Sequence, residues 1–103
     1  MEKIANYIDG QLISPLSNSY IDNYRPATGE VYSLIPDSDE KDVDLAVQAA
    51  QKAFPTWSTT PAPQRSAILQ RLADLIAQNL DELALAESTD NGKPLSLAKS
   101  VDI

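Results

Sequence analysis

The spacing of apolar residues changes once along this chain, at Ser38 or Asp39, and that change restricts the fold more than any other feature. From Asn6 to about Pro36 the chain consists of short β-branched and aromatic runs cut by turn residues. Beyond Asp39 apolar residues recur at three and four, the period of an amphipathic helix. Strands first and helices second predict an α/β (α+β) fragment: N-terminal antiparallel hairpin strands followed by two or three amphipathic helices. The strand appendage covers 1–37 and the helical part 38–103. At 103 residues the chain is one domain long and can bury roughly 60 to 65% of its unfolded surface.

Within the first region, Tyr7-Ile8 and Gln11-Leu12-Ile13 flank Asp9-Gly10. This pair predicts a type I′ hairpin, whose two central residues both need positive φ. Ser19 to Tyr24 forms a further extended piece with Tyr20, Asp22 and Tyr24 on one side. A turn follows over Arg25-Pro26-Ala27-Thr28-Gly29-Glu30, and Val31 to Ile35 resumes the strand before Pro36 stops it. Two short strands are marginal alone, so their apolar side must lean on something else.

In the second region, Asp39, Glu40 and Asp42 place negative charge at a helix start, with Ser38 or Asp39 as the N-cap. Val43, Val47, Ala50 and Phe54 lay one apolar stripe over this first helix, and Pro55 is expected to end it. Trp57, directly after Phe54-Pro55-Thr56, then anchors a connector or serves as an exposed ligand platform. A second helix starts at or soon after Thr60-Pro61 and carries Ile68, Leu69, Leu72, Leu75 and Ile76. Asn79 and Glu82 have capping-box spacing for a third helix, and an uninterrupted helix from Pro63 to Thr89 is the alternative. Asn91-Gly92 supplies a left-handed C-cap. Pro94 opens a last helical piece in which Leu95, Ala98 and Val101 share a face. Its stop at Ile103, without a cap or polar tail, suggests a chain cut in mid-helix.

The chemistry available to these residues is narrow. Cys and His are both absent, which removes the thiolate nucleophile, the commonest general base near neutral pH and the commonest metal ligand. Lys plus Arg number 8 against 15 for Asp plus Glu, a formal charge of −7. Nucleic acid and anionic membranes are therefore not expected as partners. No apolar run reaches the ~18 residues of a membrane span, so a cytoplasmic location is the default. Gly10, Gly29 and Gly92 are too scattered to build a phosphate-cradling loop, and Gly92-Lys93 lacks the glycines that would precede it in one. Asp39, Glu40, Asp42 and Asp44 are accounted for by capping and solvation. No catalytic and no cofactor-binding residue is assigned.

Taken in order, Asn6-Tyr7-Ile8-Asp9-Gly10, Tyr24-Arg25-Pro26-Ala27-Thr28-Gly29-Glu30-Val31, Asp42-Val43-Asp44-Leu45-Ala46-Val47, Ala49-Ala50-Gln51-Lys52-Ala53-Phe54, Trp57, Arg71-Leu72-Ala73-Asp74-Leu75-Ile76 and Asp90-Asn91-Gly92-Lys93-Pro94 resemble the opening of the aldehyde dehydrogenase superfamily. Ser19-Tyr20-Ile21-Asp22, Glu30-Val31-Tyr32 and Ala86-Glu87-Ser88 resemble most the branch acting on 2-aminomuconic or hydroxymuconic semialdehyde. Arg25, standing where that pattern has Asn or Asp, departs from it.

The resemblance implies that the helical part belongs to an incomplete N-terminal, cofactor-binding domain. It implies NAD or NADP in the full-length protein and none bound by this chain alone. The partners it implies are the remainder of the chain and a homodimer or homotetramer. It further implies that a Cys nucleophile, an oxyanion hole and a Glu-activated water all lie beyond Ile103. Two roles transfer by position. Asp90, with backbone carbonyls near Asn23 and Tyr24, matches a monovalent-cation site, for which oxygen ligands are suited; otherwise Asp90 caps the turn at Asn91-Gly92. Asp102 matches an Asp at the substrate-tunnel mouth, or else faces solvent. The expected whole is an N-terminal piece, inactive alone, of an NAD-dependent aldehyde dehydrogenase; the alternatives are an interaction or oligomerisation module, or a scaffold without catalysis.

Overall fold

The computed structural model describes residues 1–103 as five strands followed by helices, an incomplete α/β arrangement. In chain order these are β1 (Glu2–Lys3), β2 (Asn6–Ile8), β3 (Gln11–Ile13), β4 (Tyr20–Arg25) and β5 (Glu30–Pro36). Then come α1 (Glu40–Thr59), α2 (Ala62–Gln78), α3 (Leu80–Asn91), the single turn α4 (Leu95–Leu97) and a π-helical turn over Ala98–Asp102. The chain divides into two compact units, one of Met1–Tyr24 with Val31–Thr59 and one of Arg25–Glu30 with Thr60–Ile103.

In the first unit, β2 and β3 form the expected antiparallel hairpin with Tyr7 opposite Leu12. Asp9 and Gly10 both hold positive φ, 53° and 75°, as a type I′ turn demands. The remaining strands form a separate sheet in the order β1-β5-β4. Its β1–β5 pairing is parallel, with Glu2 opposite Ser33 and Lys3 opposite Leu34, and it adds a parallel pair to the expected antiparallel strands. The two residues of β1 carry no strand pattern of their own; they are strand only because β5 offers an edge. Ser33 is fully buried there, and its hydroxyl accepts a hydrogen bond from the Asn23 amide at 3.0 Å.

The start of α1 explains its own position. Asp39 Oδ1 accepts the N–H groups of Lys41 at 3.0 Å and Asp42 at 3.3 Å, while Asp42 Oδ2 accepts the N–H of Asp39 at 3.0 Å. This reciprocal arrangement is a capping box with Asp in the place usually held by Glu or Gln. It selects Asp39 as the N-cap; the Ser38 hydroxyl instead accepts from the Asn6 amide at 2.9 Å.

Pro55 does not end α1, contrary to expectation, and Trp57 lies inside the helix rather than in a connector. A proline removes one donor and crowds one carbonyl, but the turn beyond it needs neither. Here the Thr59 hydroxyl donates to the Pro55 carbonyl at 2.8 Å and that of Ser58 does so at 3.3 Å, closing the last turn with side chains.

In the second unit, α2 and α3 are distinct helices separated at Asn79. The capping box expected there does not form: the Asn79 amide donates back to the Leu75 carbonyl at 2.8 Å, finishing α2 rather than capping α3. Gly92 ends α3 with φ of 83° and donates its N–H to the Ser88 carbonyl at 2.9 Å. A Cβ on Gly92 would also meet Pro26 Cβ at 3.0 Å, so both conformation and space require glycine.

The core of this unit is small. Ala84 of α3 and Ala98 at the start of the π-turn are fully buried, and α3 packs against that turn. The Ile103 N–H bonds to the Ala98 carbonyl at 2.9 Å, an i→i+5 closure. Of Leu95, Ala98 and Val101, expected to share a face, only Ala98 is buried; Val101 is 70% exposed. No residue of α2 is buried.

Candidate functional site

The densest polar cluster lies where α3 turns into the π-helical segment, and the Asn91-Gly92-Lys93 corner builds it. Because Gly92 reverses the chain, the Lys93 N–H reaches Asn91 Oδ1 at 2.9 Å and the Ser88 hydroxyl reaches the Lys93 carbonyl at 2.6 Å. The Asn91 amide donates to Glu87 Oε1 at 2.7 Å one turn back along α3. With its backbone held on both sides, Lys93 extends its ammonium to Asp102 Oδ2 at 2.5 Å and lies 3.5 Å from Glu87 Oε1.

Its hydrogen bond to Asp102 holds the Lys93 ammonium above the usual lysine range, with the Asp102 charge and Glu87 adding to this and partial desolvation opposing it. A second pair, Lys99 with Asp81 at 2.9 Å, joins the π-turn to the start of α3. From sequence alone, Lys93 and Lys99 have no assigned role. A signal was available in Asn91-Gly92, since a left-handed residue folds whatever follows it back over the preceding turn.

The residues singled out from sequence are distributed as follows. Asp102 sits at the end of the π-turn in the Lys93 cluster. Asp90 lies in the last turn of the same unit's α3. Asn23 and Tyr24 lie on β4 in the other unit, where the Asn23 amide donates to the Tyr32 hydroxyl at 3.2 Å and to Ser33. The turn at Gly92 is closed by Ser88 and Asn91 side chains, which are the groups bonded to Lys93.

Asp42 is the residue whose importance the sequence hid. It is 2% exposed, and besides the Asp39 N–H it accepts the Leu16 N–H at 2.9 Å. Those two backbone bonds, Leu16 first, hold its carboxyl below the usual aspartate range against the opposing effect of burial. Its role is to fasten the segment between β3 and β4 to α1.

The three glycines serve three separate corners, at the β2–β3 turn, the β4–β5 turn and the end of α3, each with positive φ. None opens a helix after a strand, so these residues do not fit a dinucleotide's phosphates. The surface carries several open grooves of about 220 to 440 Å³, each inside one unit, and one in each unit borders the elements above. One, of about 440 Å³, runs along α2 past Ala62, Arg65, Ser66, Leu69, Gln70 and Ala73. The other, of about 220 Å³, lies between β2 and α1 beside Tyr7, Ser38 and Val43. Neither brings a nucleophile and a base together.

Residues 13–103 match the aldehyde dehydrogenase family. The chain is 49% identical over 100 residues to the 2-aminomuconic semialdehyde dehydrogenase of Mus musculus and 50% identical over 100 residues to that of Bos taurus. Each alignment covers 97% of this chain and 20% of the relative. Among solved structures, PnpE in complex with nicotinamide adenine dinucleotide superposes with a TM-score of 0.91 at 35% identity, over 99% of this chain and 20% of that one. PnpE from Pseudomonas sp. WBC-3 superposes with a TM-score of 0.93 at 37% identity, over 100% of this chain and 21% of that one. The chain thus spans about a fifth of the length of the proteins it matches.

Proposed function

The chain belongs to the aldehyde dehydrogenase family, and from that premise we propose that it is the N-terminal part of a nicotinamide-dependent enzyme oxidising an aldehyde to its acid, with a muconic semialdehyde as substrate. The observation that carries this reading is the near-complete alignment, at about half identity, with 2-aminomuconic semialdehyde dehydrogenases. NAD is the cofactor of the complete enzyme in this reading, in line with its presence in the PnpE complex. The complete enzyme is cytoplasmic and assembles as a homodimer or homotetramer.

The 103 residues do no chemistry by themselves in this proposal. Covalent aldehyde oxidation needs an attacking thiolate and a bound hydride acceptor, and the chain has no Cys and no phosphate-binding loop. What it contributes is scaffold, with Asp90 as an oxygen ligand of a monovalent cation and Asp102 bordering the route of substrate entry.

The test is a fusion of this chain to the rest of the mouse relative, replacing the fifth of that protein that aligns with it. The fusion should reduce NAD when given 2-hydroxymuconic semialdehyde, and the isolated chain should not. A folded, soluble fusion without turnover, or turnover by the isolated chain, would overturn the proposal.

A second reading, an interaction module, draws support from the exposure of Val43 at 56% and Leu72 at 51%. Sedimentation separates the two: concentration-dependent self-association of the isolated chain favours the module.

A further inference from the structure

Asn91 is the only asparagine followed by glycine, and that pair is chemically reactive as well as a helix end. With no Cβ beside it, the Gly92 nitrogen can approach the Asn91 side chain unhindered once the backbone permits. Both residues are exposed, so water is at hand.

The folded corner holds every atom that such a reaction would use. The Gly92 N–H, the source of the nucleophile, donates to the Ser88 carbonyl at 2.9 Å. Asn91 Oδ1 accepts the Lys93 N–H at 2.9 Å, and the Asn91 amide nitrogen donates to Glu87 Oε1 at 2.7 Å. Asn91 is also the last residue of α3, and its helical backbone must be left before a five-membered ring can close on Gly92. Next along the chain, the Ser88 hydroxyl ties down the Lys93 carbonyl at 2.6 Å. Side chains one turn back, Glu87 and Ser88, thus clamp both sides of a reactive pair.

We propose that Asn91–Gly92 is a site of spontaneous deamidation gated by this corner, silent while α3 keeps its last turn and reactive when that turn opens. In the open state the Gly92 nitrogen gives up its proton to solvent and attacks Asn91 Cγ. The new C–N bond closes a succinimide as the Cγ–Nδ2 bond breaks, and the amide group takes up a proton and leaves as ammonia. Water then opens the ring at either carbonyl, giving aspartate or isoaspartate; water is consumed and ammonia released, with no redox change. Either product puts a carboxylate beside Glu87 where a donor stood. Isoaspartate also inserts a methylene carbon into the backbone, which takes the Gly92 N–H out of register with Ser88 and loosens the segment from Lys93 to Asp102.

The test incubates the intact chain at mildly alkaline pH in buffer and in guanidinium chloride, and quantifies Asn91 conversion by peptide mass spectrometry, with isoaspartate told from aspartate by fragmentation. Conversion in denaturant should be at least about tenfold faster than in the folded chain, because the folded-state reaction waits on local opening. The double variant Glu87→Ala with Ser88→Ala keeps every reacting atom; it should convert faster than the unaltered chain in buffer and at the same rate in denaturant. Protection of α1 amides from exchange, in the other unit, shows that the variant is still folded, and the two single variants give the same comparison if the pair together unfolds the chain. Glu87→Gln, which keeps an acceptor for the Asn91 amide, should stay near the unaltered rate. Equal rates in buffer and denaturant, or folded Ala variants no faster than the unaltered chain, overturn the proposal.

Discussion

Asp42 Oδ1 accepts the backbone N–H of Leu16 at 2.9 Å across a separation of 26 residues, while Oδ2 of the same carboxylate accepts the N–H of Asp39. One side chain therefore caps α1 and also pins the segment leading to β4. Asp42→Ala should orphan both donors, lower the thermal midpoint by several degrees and speed exchange of the Leu16 amide. Asp42→Asn, which keeps one acceptor oxygen, should do less. Equal midpoints for all three proteins would show that the pin carries no stability.

The same carboxylate sets an acid limb. Its pKa is lowered on folding, so its stabilising contribution is fully present above the ordinary aspartate range and is lost as pH falls through the lower folded value. Melting temperature followed from neutral to acid pH should fall less steeply in Asp42→Asn than in the unaltered chain. Parallel curves would place the acid sensitivity elsewhere.

Lys93 gives the opposite sign. Its pKa is raised on folding, so its contribution is fully present below the ordinary lysine range and is lost as pH rises through the folded value. Lys93→Met should accelerate amide exchange at Val101, Asp102 and Ile103 at neutral pH while leaving α1 untouched. In the unaltered chain, protection at these amides, corrected for the base catalysis of exchange itself, should be lost only under strongly alkaline conditions. Unchanged exchange in Lys93→Met would mean that backbone bonding alone holds the π-turn.

Gly92 and Gly10 both have positive φ, 83° and 75°, but only Gly92 faces Pro26 at 3.0 Å. Gly10→Ala should cost about 1–2 kcal/mol, the ordinary penalty for a left-handed L-residue. Gly92→Ala should cost more, since Pro26 must also shift. Urea unfolding of the two variants gives the comparison, and equal costs would show that the corner yields freely.

Burial predicts a contrast within the second unit. Ala84 is fully buried while Leu72 is half exposed. Ala84→Leu should destabilise by about 1–3 kcal/mol through overpacking. Leu72→Asp should remain within about 0.5 kcal/mol, as surface substitutions do. Denaturant midpoints decide this, and a large loss in Leu72→Asp would reveal a cover over α2 in the isolated chain.

Much of the architecture was legible in short stretches of sequence. Asp9-Gly10 announced its hairpin, Gly92 its helix end, and the change of period at Asp39 the passage from strand to helix. Each depends on the φ preference of one or two residues or on a local periodicity, which any segment carries with it. Family membership was legible for a related reason, since the order and spacing of many short motifs survive without reference to contacts.

The tertiary structure decided what distance in the chain conceals. Glu2–Lys3 became a strand because β5 lay open beside it, and Asp42 became a buried tether because Leu16 arrived from 26 residues away. Pro55 stayed inside α1 because the hydroxyls of Ser58 and Thr59 complete the turn. Lys93 acquired two carboxylates once the π-turn brought Asp102 back to the end of α3. Backbone preference is a property of residues taken singly, whereas burial and pairing belong to groups that meet only after the chain has closed loops between them.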